Sequence, residues 1–139
     1  MKKIILLSVL AVVLCGLAVT GIYKQYRRAQ VAAQVACLDS IRAALFKNGI
    51  KPAIEPKPAD GWVFLRGEDY RRTIELVSME TTLVCGPSKG KLVDAWNHDF
   101  GIGVRKLPNG AWDYYVWSNG PDGLDQTVDD IYSTSFHRL

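Results

Sequence analysis

The sequence predicts an α+β fold in which one long N-terminal helix packs on a small antiparallel β-sheet. Three observations lead there. Residues 4–47 contain no proline, so nothing interrupts a helix over that stretch. Within 31–45, apolar residues recur at steps of three and four, the period of one helical face. From 101 onward, short alternating segments flank an Asn-Gly pair, the signature of a hairpin. A chain of 139 residues has room for one small domain.

The first element is apolar. Met1-Lys2-Lys3 is followed by 4–23, a run without a charged residue. Roughly 20 apolar residues at about 1.5 Å each span a bilayer core of about 30 Å. This gives a single-pass transmembrane anchor over 1–23 and a domain over 24–139. A cleavable signal is the alternative, but it needs a shorter apolar stretch and a small-residue cleavage site. Here the run passes directly into Lys24-Gln25-Tyr26-Arg27-Arg28. Cys15 follows Leu14 rather than a small residue, so it reads as a membrane-buried thiol and not as a lipid-attachment site. Lys2 and Lys3 on one side nearly balance Lys24, Arg27 and Arg28 on the other. The positive-inside bias therefore leaves the orientation open.

The helix continues beyond the anchor. Val31, Val35, Leu38, Ile41 and Leu45 mark its apolar face, and Arg27, Arg28, Gln30, Gln34 and Arg42 fall on the other sides. Asn48-Gly49 stops it, because both residues tolerate the left-handed conformation that ends helices. One helix from about 4 to 47 would be roughly 65 Å long.

Pro52, Pro56 and Pro58 make 51–61 an extended connector. Trp62-Val63-Phe64-Leu65 is a short strand or an aromatic plug. The stretch 67–82 opens with Glu68 and Asp69, which favour a helix start, while its β-branched residues argue partly for strand. We expect a short helix and then a strand near Leu83. Gly86-Pro87-Ser88-Lys89-Gly90 is a loop. Strands follow at 101–107 and 112–118, joined by Pro108-Asn109-Gly110, whose Asn-Gly pair supplies positive backbone angles. Trp112, Tyr114, Val116 and Ser118 share one face of the return strand; Asp113, Tyr115 and Trp117 share the other.

Charge bears on one class of function. All 14 acidic residues and 15 of the 17 Lys and Arg lie beyond residue 23, so 24–139 carries 15 − 14 = +1. A near-neutral domain without a basic stripe does not argue for a nucleic-acid partner, and we expect none. Cys37 and Cys85 are the only cysteines outside the apolar run; they would be able to pair in an oxidising compartment, or stay free thiols.

The candidate chemistry lies in Asn119-Gly120-Pro121-Asp122-Gly123-Leu124-Asp125-Gln126-Thr127-Val128-Asp129-Asp130-Ile131. Four aspartates fall within 122–130, with no Lys or Arg. Crowded carboxylates repel, and a cation relieves the repulsion. Calcium suits such a site, since it takes six to eight oxygens in flexible geometry. With no His or Cys in the loop, zinc is disfavoured. The spacing is not that of an EF-hand. An acidic, solvated turn that caps the next segment is the plainer alternative.

The stretch Trp117-Ser118-Asn119-Gly120-Pro121-Asp122-Gly123, with Thr127-Val128-Asp129-Asp130-Ile131, resembles the C-terminal signature of the major pseudopilins of type II secretion and their type IV pilin-like relatives. Those chains end in S-x-G-x-D-G, a short spacer, and D-x-D-I or D-D-I. Leu92-Val93-Asp94-Ala95-Trp96-Asn97-His98-Asp99-Phe100 is similar to the family's D-P-W-G-x-P-Y segment, with Ala95 in place of Pro. The resemblance implies a pilin-like fold and a bacterial inner-membrane protein with its C-terminal domain in the periplasm. It implies a calcium loop over 118–131, with carboxylates from Asp122, Asp129 and Asp130 and carbonyls near Asn119, Pro121 and Leu124. It makes Asp94 and Trp96 structural, and other pseudopilin or secretion-system subunits the partners. The amino-terminal half departs from the pattern. The family carries a Gly at its processing point and a Glu five residues into the mature helix. Gly16 precedes Leu17 here, but Gly21 stands where that Glu belongs, and the first acidic residue is Asp39. Processing and filament assembly are therefore not carried over.

Other candidates are weaker. His98 lies near Asp94 and Asp99, and His137 near the end, but no nucleophile or oxyanion loop accompanies them. Gly86-Pro-Ser-Lys-Gly-Lys lacks Walker spacing. We expect neither an enzyme nor a small-molecule substrate. A second reading is a membrane-tethered module that never polymerises and recognises a partner through its aromatic hairpin.

Overall fold

A computed structural model of the chain describes residues 2–53, 61–85 and 91–133, with the side chains of all of these except 2–12, 14, 82 and 83. Most of the connector at 51–61, the loop at 86–90 and His137 lie outside the described residues. The fold is α+β: a long helix and a four-stranded antiparallel sheet in the order β1-β2-β3-β4. The chain divides into two compact units, Met1–Ala32 and Ala33–Leu139.

Helix α1 spans Lys2–Asn48. In the first unit its described side chains other than half-buried Gln30 are exposed, Val13, Leu17, Val19 and Ile22 among them. Among the described residues no helix is long and apolar enough to cross a membrane; more than half of the side chains of the expected anchor over 1–23 are outside the described set.

In the second unit α1 buries Gln34, Cys37, Leu38, Ile41, Ala44 and Leu45. The expected stripe is corrected at its upper end. Val31 is exposed and Val35 half-buried, while Gln34, expected on a polar side, is 5% exposed because its Oε1 accepts the amide of Ala95 at 3.0 Å. Arg42 is likewise drawn in. Its Nε donates to the Tyr114 carbonyl at 2.8 Å and its guanidinium pairs with Asp113 at 3.1 Å. The helix ends at Gly49 with φ 57°, where Gly49 N–H bonds Phe46 O and Ile50 N–H bonds Leu45 O. Those two bonds satisfy carbonyls the last turn would leave open.

Helix α2 spans Gly67–Cys85 and absorbs the strand expected near Leu83. The β-branched residues that suggested strand are accommodated in helix. Thr73 and Thr81 are buried, and their hydroxyls donate to the carbonyls of Asp69 and Val77, four residues back. A disulfide joins Cys37 of α1 to Cys85, the last residue of α2.

Strand β1 is Val63–Phe64, β2 Gly101–Lys106, β3 Trp112–Ser118 and β4 Ile131–Tyr132. The β2–β3 hairpin pairs Gly101 with Trp117 and Lys106 with Trp112. Its turn differs from the expected one. Gly110 alone has positive φ there, at 81°, and its N–H bonds Leu107 O. Asn109 instead uses its side chain to accept the Ala111 amide at 3.0 Å. A turn followed by one left-handed glycine fits the longer loop. Tyr114, Val116 and Ser118 face inward. They close one core with Leu38, Ile41 and Leu45 of α1, Val77 of α2, and Phe100, Ile102, Val104 and Ile131. The opposite sheet face is aromatic: Tyr115 stacks on Trp117 at 4.9 Å and on Tyr132 at 5.7 Å, and Phe64 meets Trp117 edge-on.

Candidate functional site

The acidic loop runs from the end of β3 to the start of β4. Its two ends are tied by the pairing of Ser118 with Ile131 and Trp117 with Tyr132. Positive φ at Gly120, Gly123 and Gln126 turns the backbone back on itself. At two of these positions only glycine fits. A Cβ on Gly120 would run into the Asp129 carbonyl, and one on Gly123 would stand 2.9 Å from the His98 ring.

Beneath the loop lies a buried polar hub centred on Asp94, which is 5% exposed. Its Oδ1 accepts the amides of Trp96 at 3.0 Å and His98 at 2.7 Å. Its Oδ2 accepts the Ser118 hydroxyl at 2.5 Å. Ser118 Oγ in turn accepts the Gly120 amide at 3.1 Å. The 94–98 turn is closed by Asp94 N–H to His98 O, with Asn97 in the left-handed region. Trp96 is half-buried against the core. His98 lies 3.0 Å from the Gly120 carbonyl through Nδ1 and 3.8 Å from Asp94 Oδ2. It acts as a clasp between the turn and the loop, and its ring is the surface Gly123 packs on.

The carboxylates of Asp122, Asp129 and Asp130 converge on the hydroxyl of Thr127. Thr127 Oγ1 lies 3.4 Å from Asp122 Oδ1, 2.7 Å from Asp129 Oδ1 and 3.1 Å from Asp130 Oδ1, and 3.2 Å from the Leu124 carbonyl. A hydroxyl has one proton, so it satisfies one of these four acceptors fully. Backbone amides take up other lone pairs. Leu124 donates to Asp122 at 2.9 Å, Asp122 to Asp129 at 3.2 Å and Gln126 to Asp130 at 2.8 Å. The Tyr132 hydroxyl also donates to Asp130 at 2.9 Å. The Thr127 hydroxyl, followed by backbone N–H groups, holds Asp129 below the usual carboxylate range against desolvation. Among the described residues no Lys, Arg or His pairs with any of the loop aspartates.

The loop's donor set fits a hard cation in its chemistry. It consists of oxygens gathered at one point with an excess of negative charge. Among the described residues no three acidic, His or Cys side chains form a metal cluster as they stand; the Thr127 hydroxyl lies among the three carboxylates. Of the six expected ligands, Asp122, Asp129, Asp130 and Leu124 are brought to that point. The Asn119 side chain is engaged elsewhere: its oxygen accepts Trp117 Nε1 at 2.8 Å and its NH₂ faces the Gly123 carbonyl. Pro121 is exposed. Sequence reasoning gave no role to Thr127, Ser118 or Tyr132. Thr127 alone had a signal, a hydroxyl two residues before an aspartate in a turn-rich loop.

A comparison with family models, with curated proteins and with solved structures returns no match for this chain.

Proposed function

We propose that the chain is a membrane-anchored, pseudopilin-like structural protein of a secretion or pilus-type assembly, with a calcium-stabilised C-terminal loop. The observation that carries the reading is the convergence of three carboxylates and a carbonyl on the single hydroxyl of Thr127. Asp122, Asp129 and Asp130, with the Leu124 carbonyl, would hold the ion, and the ion would neutralise their mutual repulsion. The α+β order, a long helix, a short strand, a second helix and then three antiparallel strands with the acidic loop between the last two, supports the pilin-like part. The anchor places the domain outside the inner membrane in this reading, and the partners are other subunits of the assembly.

Thermal unfolding with calcium and with chelator tests it. At calcium tenfold above the dissociation constant, binding adds about 1.4 kcal/mol, so the melting temperature rises by several degrees for a domain this size. Asp122→Ala and Asp129→Ala each abolish that rise. Superimposable curves with calcium and with chelator for the unaltered protein would refute the calcium loop.

A second reading is a non-polymerising tether that recognises a partner protein through its hairpin. The aromatic outer face favours it, with Phe64 47% exposed beside Trp62, Tyr115 and Trp117. Crosslinking in native membranes separates the two: contacts between copies support a filament subunit, and a single heterologous contact supports the tether.

A further inference from the structure

Helix α1 contains no acidic residue before Asp39. Within that stretch Lys24, Arg27 and Arg28 stand at helical spacings of three and four and share one face. All three are exposed, and among the described residues none forms an ion pair. They line an open furrow with Tyr23, Val31 and Ala32. Tyr23 and Tyr26 are 62% and 61% exposed on either side of Lys24, and the apolar side chains just upstream, Val19 and Ile22, are 65% and 67% exposed.

We propose that this face of α1 is a seat for anionic phospholipid headgroups, an inference that rests on the membrane-anchored reading above. Exposed apolar residues, then tyrosines, then cations reproduce the layers of a bilayer in sequence, from hydrocarbon through the interface to the headgroups. Lys24, Arg27 and Arg28 lie about 3 to 9 Å along the axis from Ile22 at 1.5 Å per residue. That matches a headgroup layer about 5–8 Å deep, and long basic side chains adjust over the remaining distance. Charge selects the occupant. A zwitterionic headgroup supplies its own ammonium, whereas an anionic one leaves its phosphodiester to the guanidinium forks of Arg27 and Arg28. The same lipid touches the apolar and the cationic parts of the face, which a soluble anion cannot do.

The test uses the full chain in nanodiscs of phosphatidylcholine and phosphatidylglycerol mixed two to one, with co-released lipids identified by native mass spectrometry. Each cation near an anionic surface strengthens attraction about fivefold, so the ratio of phosphatidylglycerol to phosphatidylcholine among the bound lipids should exceed the bulk ratio at least about fivefold. The triple variant K24Q/R27Q/R28Q should return it to the bulk ratio with unchanged far-UV circular dichroism. Raising salt from about 0.1 to 1 M, which shortens screening from about 10 to 3 Å, should weaken the enrichment. Bulk composition in the unaltered protein, or enrichment that survives the triple variant, overturns the proposal. So does loss of the enrichment to inorganic phosphate added at constant ionic strength, since the face would then take any phosphate. A separate arm asks whether the chain stays in pure phosphatidylcholine vesicles through an alkaline carbonate wash. Release there refutes the anchor itself; retention with unselective lipids refutes only the headgroup seat.

Discussion

Asp94 and Glu80 are acidic side chains in opposite surroundings. Asp94 is buried with three donors on its carboxylate. Hydrogen bonds to a charged group are worth about 1.5–3 kcal/mol, and stranded donors cost more. Asp94→Ala should therefore destabilise the domain by at least about 3 kcal/mol, measured by chemical denaturation. Ser118→Ala, which removes one donor, should cost about half as much or less. Glu80 is exposed and reports on pH instead. Asn48 and then Lys47 hold its carboxyl below the usual value of 4.5. Its charged form is thus the one the folded state prefers. The stability it adds is fully present above that value and disappears as pH falls through the lower folded one. Glu80→Gln should lower the melting temperature slightly at pH 7, by a gap that closes in acid. At this scale the sequence was legible for charge and opaque for partnership. The acids of the loop could be counted, but Thr127 as their common neighbour depends on where Gly120, Gly123 and Gln126 fold the backbone.

Elements were read best where periodicity was long. The stop at Asn48-Gly49, the hairpin and the inward face of β3 follow from local chemistry, and the structure has each of them. Where a short segment had mixed signals, hydrogen bonding that the residue pattern does not display decided. Thr73 and Thr81 found carbonyls in their own helix, so α2 runs on to Cys85. Strands β1 and β4 are two residues each, too short for a pattern, and exist through their pairing with β2 and β3. The outer sheet face offers an element-level prediction. Gly101 pairs with Trp117, whose indole lies where a Cβ on Gly101 would be. Gly101→Ala should push that ring off the strand and cost about 1–3 kcal/mol. The readout is near-UV circular dichroism together with the melting curve.

Across the whole chain the α+β class was legible because it needs only the sum of these elements. The packing between them was less so: Gln34 and Arg42 look like surface residues until Ala95, Asp113 and Tyr114 are placed beside them. The longest covalent constraint is Cys37–Cys85, 48 positions apart. Closing a loop of that length removes unfolded-state entropy worth about 4 kcal/mol. Cys37→Ser with Cys85→Ser, or reduction, should lower stability by about 2–5 kcal/mol and make α2 an early site of protease cleavage. Stability equal to that of the oxidised protein would show that the bridge contributes nothing.

That bridge also sets how the molecule answers to force. While the thiols remain reduced, tension on the two ends can unravel the polypeptide throughout, as threading through a narrow channel requires. After oxidation, pulling extends only what lies outside positions 37 and 85, and the enclosed segment is shielded from the load.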